Sequence, residues 1–136
     1  MEMRFIQLSG EQADEIQYNL RQYNTDHISY RRNGSIQIGI EIDGTVVAGL
    51  VAYLSVYKIL YVDAVFVEEK HRRKGYGKAL IMEMERRARS LGVNTIRLDT
   101  FNWQGTNFYK HLGYEEVGHY TNSEDDFEES FFIKRI

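Results

Sequence analysis

One stretch constrains this chain more than any other: Val65-Phe66-Val67-Glu68-Glu69-Lys70-His71-Arg72-Arg73-Lys74-Gly75-Tyr76-Gly77-Lys78-Ala79-Leu80. Three apolar residues close a strand, a charged loop follows, and two glycines open a helix. Glycine permits φ > 0 and a close approach of backbone to a ligand. A helix start adds unpaired N–H groups and the positive end of a dipole, which together favour phosphate. Two other phosphate loops fit less well. Ala79 lacks the magnesium-binding hydroxyl of a Walker A loop, and Arg72 stands where its first glycine belongs; Leu80 occupies the third glycine of a dinucleotide fingerprint. The bland alternative is a glycine turn capped by a solvated basic run.

Composition narrows the partners. The 136 residues are 43% hydrophobic and 27% charged, ordinary globular values long enough for one core, so we expect a single domain over 1–136. Seventeen basic and twenty acidic residues leave a net charge of −3, against a general nucleic-acid binder. With no cysteine there is no disulfide, thiol nucleophile or Cys-based zinc site, and His27, His71, His111 and His119 lack ligand spacing, so no metal is expected. No apolar run is long enough to span a membrane, and Met1-Glu2-Met3-Arg4-Phe5 is not a signal-peptide start; the expectation is a cytoplasmic protein.

Read in order, residues 3–8 predict a short first strand. Ser9 with Gln12 matches a capping box, and Ala13, Ile16, Leu20 and Tyr23 predict a helix over 10–23. Residues 24–33 read as a solvated connection, a second short helix, or a lid. Ile36, Ile38, Ile40 and Ile42 alternate as one strand face, and Asp43-Gly44 is a hairpin signal. Strands over 45–57 and 59–67 complete a meander, with Lys58 at the turn. Leu80, Met84, Ala88 and Leu91 form the apolar stripe of a helix over 76–91. Glu83, Glu85, Arg86, Arg87 and Arg89 read as its solvated side, Met82 and Met84 as core filler, and Gly92 as its C′ residue. The strand over 94–100 should then lie parallel to 59–67 through a right-handed crossover. Residues 114–121 and 127–135 read as two further strands around an acidic turn, Glu124-Asp125-Asp126. With Glu128 and Glu129, these acids form either a solvated hairpin or a lure for cationic molecules.

The second constellation is Asn102-Trp103-Gln104-Gly105-Thr106-Asn107-Phe108-Tyr109-Lys110-His111-Leu112-Gly113-Tyr114. Arg72-x-x-Gly75-x-Gly77 resembles the acyl-CoA pyrophosphate loop of the GNAT N-acetyltransferase superfamily. Asn102, Phe108, Tyr109, Leu112 and Gly113 match that superfamily's C-terminal motif in spacing. Gly105 replaces its usual Ala, a change worth up to ~1 kcal/mol of helix propensity, and Tyr114 replaces its usual Phe. The two motifs cover about a third of the chain in the right order. The resemblance implies an α+β (mixed α/β) fold, with a central mixed, mostly antiparallel sheet of about seven strands flanked by about four helices.

It also implies roles. Acetyl-CoA is the expected co-substrate. Backbone N–H groups of Arg73, Lys74, Gly75, Tyr76, Gly77 and Lys78 would cradle its pyrophosphate, while Arg72 and Lys74 add charge, also within reach of the 3′-phosphate. The Val65 and Val67 backbone would pair with the pantetheine arm as an added strand. The Phe66 or Val67 amide would polarise the thioester carbonyl. Asn102 would contact the pantetheine or phosphate region. Tyr109 is the candidate general acid, set against a packing position beside Phe108; a phenol with an ordinary pKa of ~10 holds its proton at neutral pH. Asp63 is the candidate general base, partly buried between Val62 and Ala64, with Glu41 or a water chain as alternatives. The implied activity is transfer of acetyl to a primary amine, with a small-molecule acceptor and a homodimer both compatible with the chain. The competing readings are an acyl-CoA-binding sensor without catalysis and a protein N-terminal or lysine acetyltransferase.

Overall fold

The computed structural model describes all 136 residues, and the chain divides into two compact units, residues 1–31 and 32–136. In the first, residues 1–9 carry no regular structure and lead into α1 (Gly10–Thr25). The strand expected over 3–8 is therefore not formed: alternation supplies a propensity, and a strand also needs a ladder partner. The capping box holds. Ser9 Oγ accepts from the Gln12 N–H at 3.1 Å, and Gln12 Oε1 accepts from the Ser9 N–H at 3.0 Å. Two residues more than expected join the helix, and no second helix follows within 24–33.

The second unit holds a six-stranded sheet. Its strands are β1 (Ser35–Ile42), β2 (Thr45–Leu54), β3 (Ile59–Val67), β4 (Thr95–Phe101), β5 (Glu115–Asn122) and β6 (Phe127–Arg135). Their spatial order is β1-β2-β3-β4-β6-β5. Two helices belong to this unit, α2 (Tyr76–Ser90) and α3 (Thr106–His111), with 3-10 turns at Glu69–His71 and Asn102–Gln104. The molecule thus has six strands and three α-helices where about seven and about four were expected, and its sheet is mixed and mostly antiparallel as expected. Asp43 and Gly44 both take positive φ, 49° and 81°, and close the β1–β2 hairpin.

α2 lies against β1, β2 and β3 and buries Leu80, Ile81, Met84 and Ala88. They meet Leu50, Ala52, Leu60, Val62, Ile96 and Phe132 in one core. Complete burial of one such aliphatic or aromatic side chain contributes about 1.5–3 kcal/mol. Met84 is core filler as predicted. Met82, two residues earlier and on the opposite side of the helix, is 56% exposed. The helix closes in a Schellman motif: the Gly92 N–H donates to Arg89 O and the Val93 N–H to Ala88 O, each at 3.0 Å.

One pairing in this sheet matters for function. β3 and β4 run parallel and pair only at Ile59–Thr95, Leu60–Ile96 and Tyr61–Arg97. β4 then follows β6 along its whole length, and β3 follows β2. Beyond Tyr61 the two central strands part, and the sheet is open between them.

Candidate active site

The opening is a cleft of about 1000 Å³. One wall is β3 from Val62 to Val67, and the other is Leu98, Asp99 and Thr100 of β4. The charged loop, the first turn of α2 and the segment from Trp103 to Tyr109 complete it.

One end of the cleft is built by backbone. Gly75 is the N-cap of α2 at φ 84°, and no side chain caps the helix. The first intrahelical bond runs from the Ala79 N–H to Gly75 O, so the N–H groups of Tyr76, Gly77 and Lys78 have no partner within the helix. A Cβ built on Gly75 meets nothing within 4 Å. The two glycines therefore do different jobs. Gly75 supplies the left-handed turn beneath open space. Gly77 is a packing glycine, since a Cβ there would stand 3.2 Å from Phe108 Cζ. An uncapped helix start lined by Arg72, Arg73 and Lys78 suits a pyrophosphate.

β3 supplies the second feature. The Glu68 N–H donates to Val47 O at 2.9 Å. The alternation of an antiparallel ladder then turns the Phe66 N–H toward Gly49 on β2, and the Val65 and Val67 N–H groups toward the cleft. Of the two candidate amides, geometry favours Val67. Arg72 is anchored to the same residue: its Nε donates to Val67 O at 2.8 Å, and its guanidinium lies 5.6 Å from the Phe66 ring centroid.

Tyr109 reaches the cleft from α3 while only 8% exposed. Its ring contacts Phe108, Tyr114 and Phe132 at centroid distances of 5.0, 5.8 and 6.0 Å. Burial pushes its phenol up to about 12, which keeps it protonated at neutral pH.

Other expected residues lie differently. Asp63 lines the cleft and is exposed, not partly buried, because β3 has already left β4 at that point and no neighbouring strand covers it. Asn102 and Lys74 are not among the lining residues; Asn102 Oδ1 accepts from the Glu128 N–H at 3.3 Å and ties the 3-10 turn to β6. Glu41 is on β1, the far edge strand, away from the cleft. Gly105 does not weaken a helix, as substitution for Ala implied. It precedes α3 at φ 107°, where glycine is favoured. The acidic turn is a hairpin in which Asn122 Oδ1 accepts from the Glu124 and Asp125 N–H groups at 3.1 Å each.

Several residues were missed. Asp99 stands on the opposite cleft wall and accepts from Tyr61 Oη at 3.2 Å; burial first, then Asp99, raises the Tyr61 phenol. Arg97 covers the Tyr61 ring at 4.6 Å. His71 also lines the cleft, with a buried Nδ1 that has no hydrogen-bond partner. Trp103 stacks on Phe101 at 4.7 Å at the rim. Alternation put Asp99 on the face away from Ile96 and Leu98, but only the parting of the strands makes that face a cleft wall.

A sheet parted at its centre, with an anion-seeking helix start at the gap, is the architecture of a coenzyme A-dependent acyltransferase. The chain matches the Acetyltransferase (GNAT) family over residues 3–114 and belongs to that family, as an N-acetyltransferase. Over 81 residues it is 31% identical to an L-ornithine N5-acetyltransferase from Arabidopsis thaliana, a match covering 54% of this chain and 36% of that protein's length. An acetyltransferase from Bacillus cereus ATCC 14579 has a TM-score of 0.90 at 26% identity, with 98% of both chains covered. A GNAT family acetyltransferase from Elizabethkingia anophelis with acetyl-CoA bound shares the fold at a TM-score of 0.66 and 14% identity, over 90% of this chain and 85% of that one. No helix is long and apolar enough to cross a membrane.

Proposed function

We propose that the protein transfers an acetyl group from acetyl-CoA directly to a primary amine of a small-molecule acceptor. One observation carries the reading: the uncapped start of α2, the unpaired edge of β3 and Tyr109 all open on one cleft. The N–H groups of Tyr76, Gly77 and Lys78 hold the pyrophosphate, with charge from Arg73 and Lys78. The backbone edge at Val65 accepts the pantetheine arm as a strand, the Val67 carbonyl already holding Arg72 Nε, and the Val67 N–H polarises the thioester carbonyl. Acetyl-CoA supplies the electrophilic carbon. The acceptor arrives mostly as an ammonium ion, is drawn to the exposed Asp63 and Asp99 walls, and loses a proton to Asp63. Its nitrogen bonds to the carbonyl carbon, the carbon–sulfur bond breaks as Tyr109 protonates the departing sulfur, and the second proton, lost by the nitrogen as the amide forms, returns to the Tyr109 phenolate; Asp63 releases the first to solvent. The relative named L-ornithine N5-acetyltransferase supports a small amine of this kind.

The test is release of free CoA thiol from acetyl-CoA, measured against ornithine, other diamines, amino acids and a peptide with a free N-terminus. The expected result is saturable release with a small amine and none with the peptide. Tight acetyl-CoA binding with no release for any amine sinks the catalytic reading; release with the peptide alone moves the acceptor class to proteins.

A further inference from the structure

The sequence places Glu85 among the solvated residues of α2, yet it is 5% exposed. A carboxylate in that position requires partners, because an unpaired buried charge is costly. Three groups surround it. Lys134 Nζ, on β6, donates to both Glu85 oxygens at 3.1 Å. Tyr114 Oη donates to Glu85 Oε2 at 2.9 Å, and Arg89 Nη2 stands 3.9 Å from Oε1. The same ammonium donates to Leu112 O at 2.8 Å.

Leu112 is the C-cap of α3, the helix that carries Tyr109. That helix has six residues, too few to persist on its own. Its last turn is fixed by the Leu112 and Tyr114 N–H groups, which both donate to Tyr109 O at 3.0 Å. Lys134 then holds the Leu112 carbonyl at the negative end of the helix and joins it to α2 through Glu85. Replacing a buried ion pair with apolar residues is often neutral for stability or better, so stability alone gives little reason for this one. What it supplies is a fixed spacing between the helix that begins at the cleft and the helix that carries the phenol.

We infer that Glu85 and Lys134, with Tyr114, are positioning residues that set Tyr109 against the cofactor cleft. The inference rests on the general-acid reading of Tyr109. None of the three reaches the cleft lining; Glu85 and Lys134 act on the reaction through α3, and Tyr114 also through its ring against that of Tyr109. A displacement of about 1 Å far from the chemistry can cost roughly 100-fold.

The experiment is a double-mutant cycle. Glu85→Gln/Lys134→Met removes both charges together and leaves neither one stranded. In the wild-type background we expect kcat to fall roughly 10- to 100-fold, the KM for acetyl-CoA to stay within about threefold, and thermal melting to remain cooperative. In the Tyr109→Phe background the same pair should cost nothing further, because residues that act as one unit are non-additive. An unchanged kcat in the wild-type background, or an equal loss in both backgrounds, overturns the inference. If Tyr109→Phe alone keeps full kcat, the general-acid reading fails and the inference falls with it, a result distinct from the other two. Should the double variant not fold, Tyr114→Phe keeps the ring and removes one hydroxyl. Its kcat should drop a few-fold in the wild-type background and not at all with Tyr109→Phe; no drop in the wild-type background also overturns the inference.

Discussion

α2 and α3 begin alike and end differently. Each starts from a glycine in the left-handed region, Gly75 at φ 84° and Gly105 at φ 107°, and neither has a side-chain cap. Beyond that first residue the helices diverge. α2 runs fifteen residues, buries a stripe against the sheet and closes on a Schellman motif. Its stability comes from its middle and its end, so its start is free to bind. α3 runs six residues and carries one buried side chain, Tyr109. Its support comes from outside it: Lys110 Nζ stands 3.1 Å from Glu116 Oε2 on β5, and Phe132 and Lys134 of β6 meet Tyr109 and the Leu112 carbonyl; its start serves to aim that side chain. A Cβ on Gly75 meets open space, whereas a Cβ on Gly105 would lie 3.4 Å from Phe108 Cβ. The same backbone device opens on the cleft in one place and forms a packed corner in the other, and the surroundings decide which.

The largest expected break in this comparison is Tyr109→Phe. It should lower kcat roughly 100-fold or more, the range for loss of a positioned general acid. Because the proposed pyrophosphate site lies on α2, the KM for acetyl-CoA should move little; steady-state thiol release separates the two constants. A large rise in KM with kcat preserved would assign Tyr109 to cofactor binding.

A smaller and sharper contrast comes from Gly75→Ala against Gly105→Ala. Each forces a side chain into left-handed backbone at about 1–2 kcal/mol, so both should lower the melting temperature by several degrees. Only Gly75→Ala should also weaken acetyl-CoA binding by calorimetric titration, since the N–H groups proposed to hold the pyrophosphate follow Gly75 and not Gly105. Equal losses of affinity would mean that the two helix starts are not separable.

Much of this was legible beforehand, for physical reasons. β3 and its loop could be read because an apolar run, a basic loop and two glycines each have one economical backbone solution in sequence. Val65, Val67, Gly75 and Gly77 all reach the cleft. The hairpin at Asp43-Gly44 and the capping box at Ser9 are local and were equally plain. What escaped depended on distant partners. Asp63 read as half-buried because alternation cannot report where β3 leaves β4. Asp99 became a cleft residue through that same parting. Glu85 looked solvated because it is a charge next to Arg86 and Arg87 in sequence, although helical spacing sets it one turn from the buried Ile81 and Ala88, and the lysine that meets it lies 49 residues later on β6. Gly105 looked like a weakened helix because the spacing of a motif does not state where its helix begins.

The smallest effect tests the burial that distinguishes α3 from α2. Tyr109 is pushed up to about 12 by burial, against about 10 in an unfolded chain. Between those values the unfolded chain gives up a proton that the folded chain retains. The stability contributed by burying the neutral phenol is therefore complete below pH 10 and is lost as pH rises through 12. At pH 10.5 the loss for one such group is still below about 1 kcal/mol. Urea denaturation of wild type and Tyr109→Phe, from pH 8.5 to 11, should show the wild type losing stability more steeply above pH 10. Tyr114, raised first by burial, then by Glu85 and to a smaller degree by Tyr109, adds a second alkaline loss that Tyr109→Phe softens, so the difference between the two proteins reports Tyr109 together with its coupling to Tyr114. Gly75→Ala changes no titrating group, and its destabilisation should be the same at pH 8.5 and pH 11. If Tyr109→Phe runs parallel to wild type across that range, the phenol is reached by water in the folded protein, and the contrast between a packed α3 and an open α2 start has to be given up.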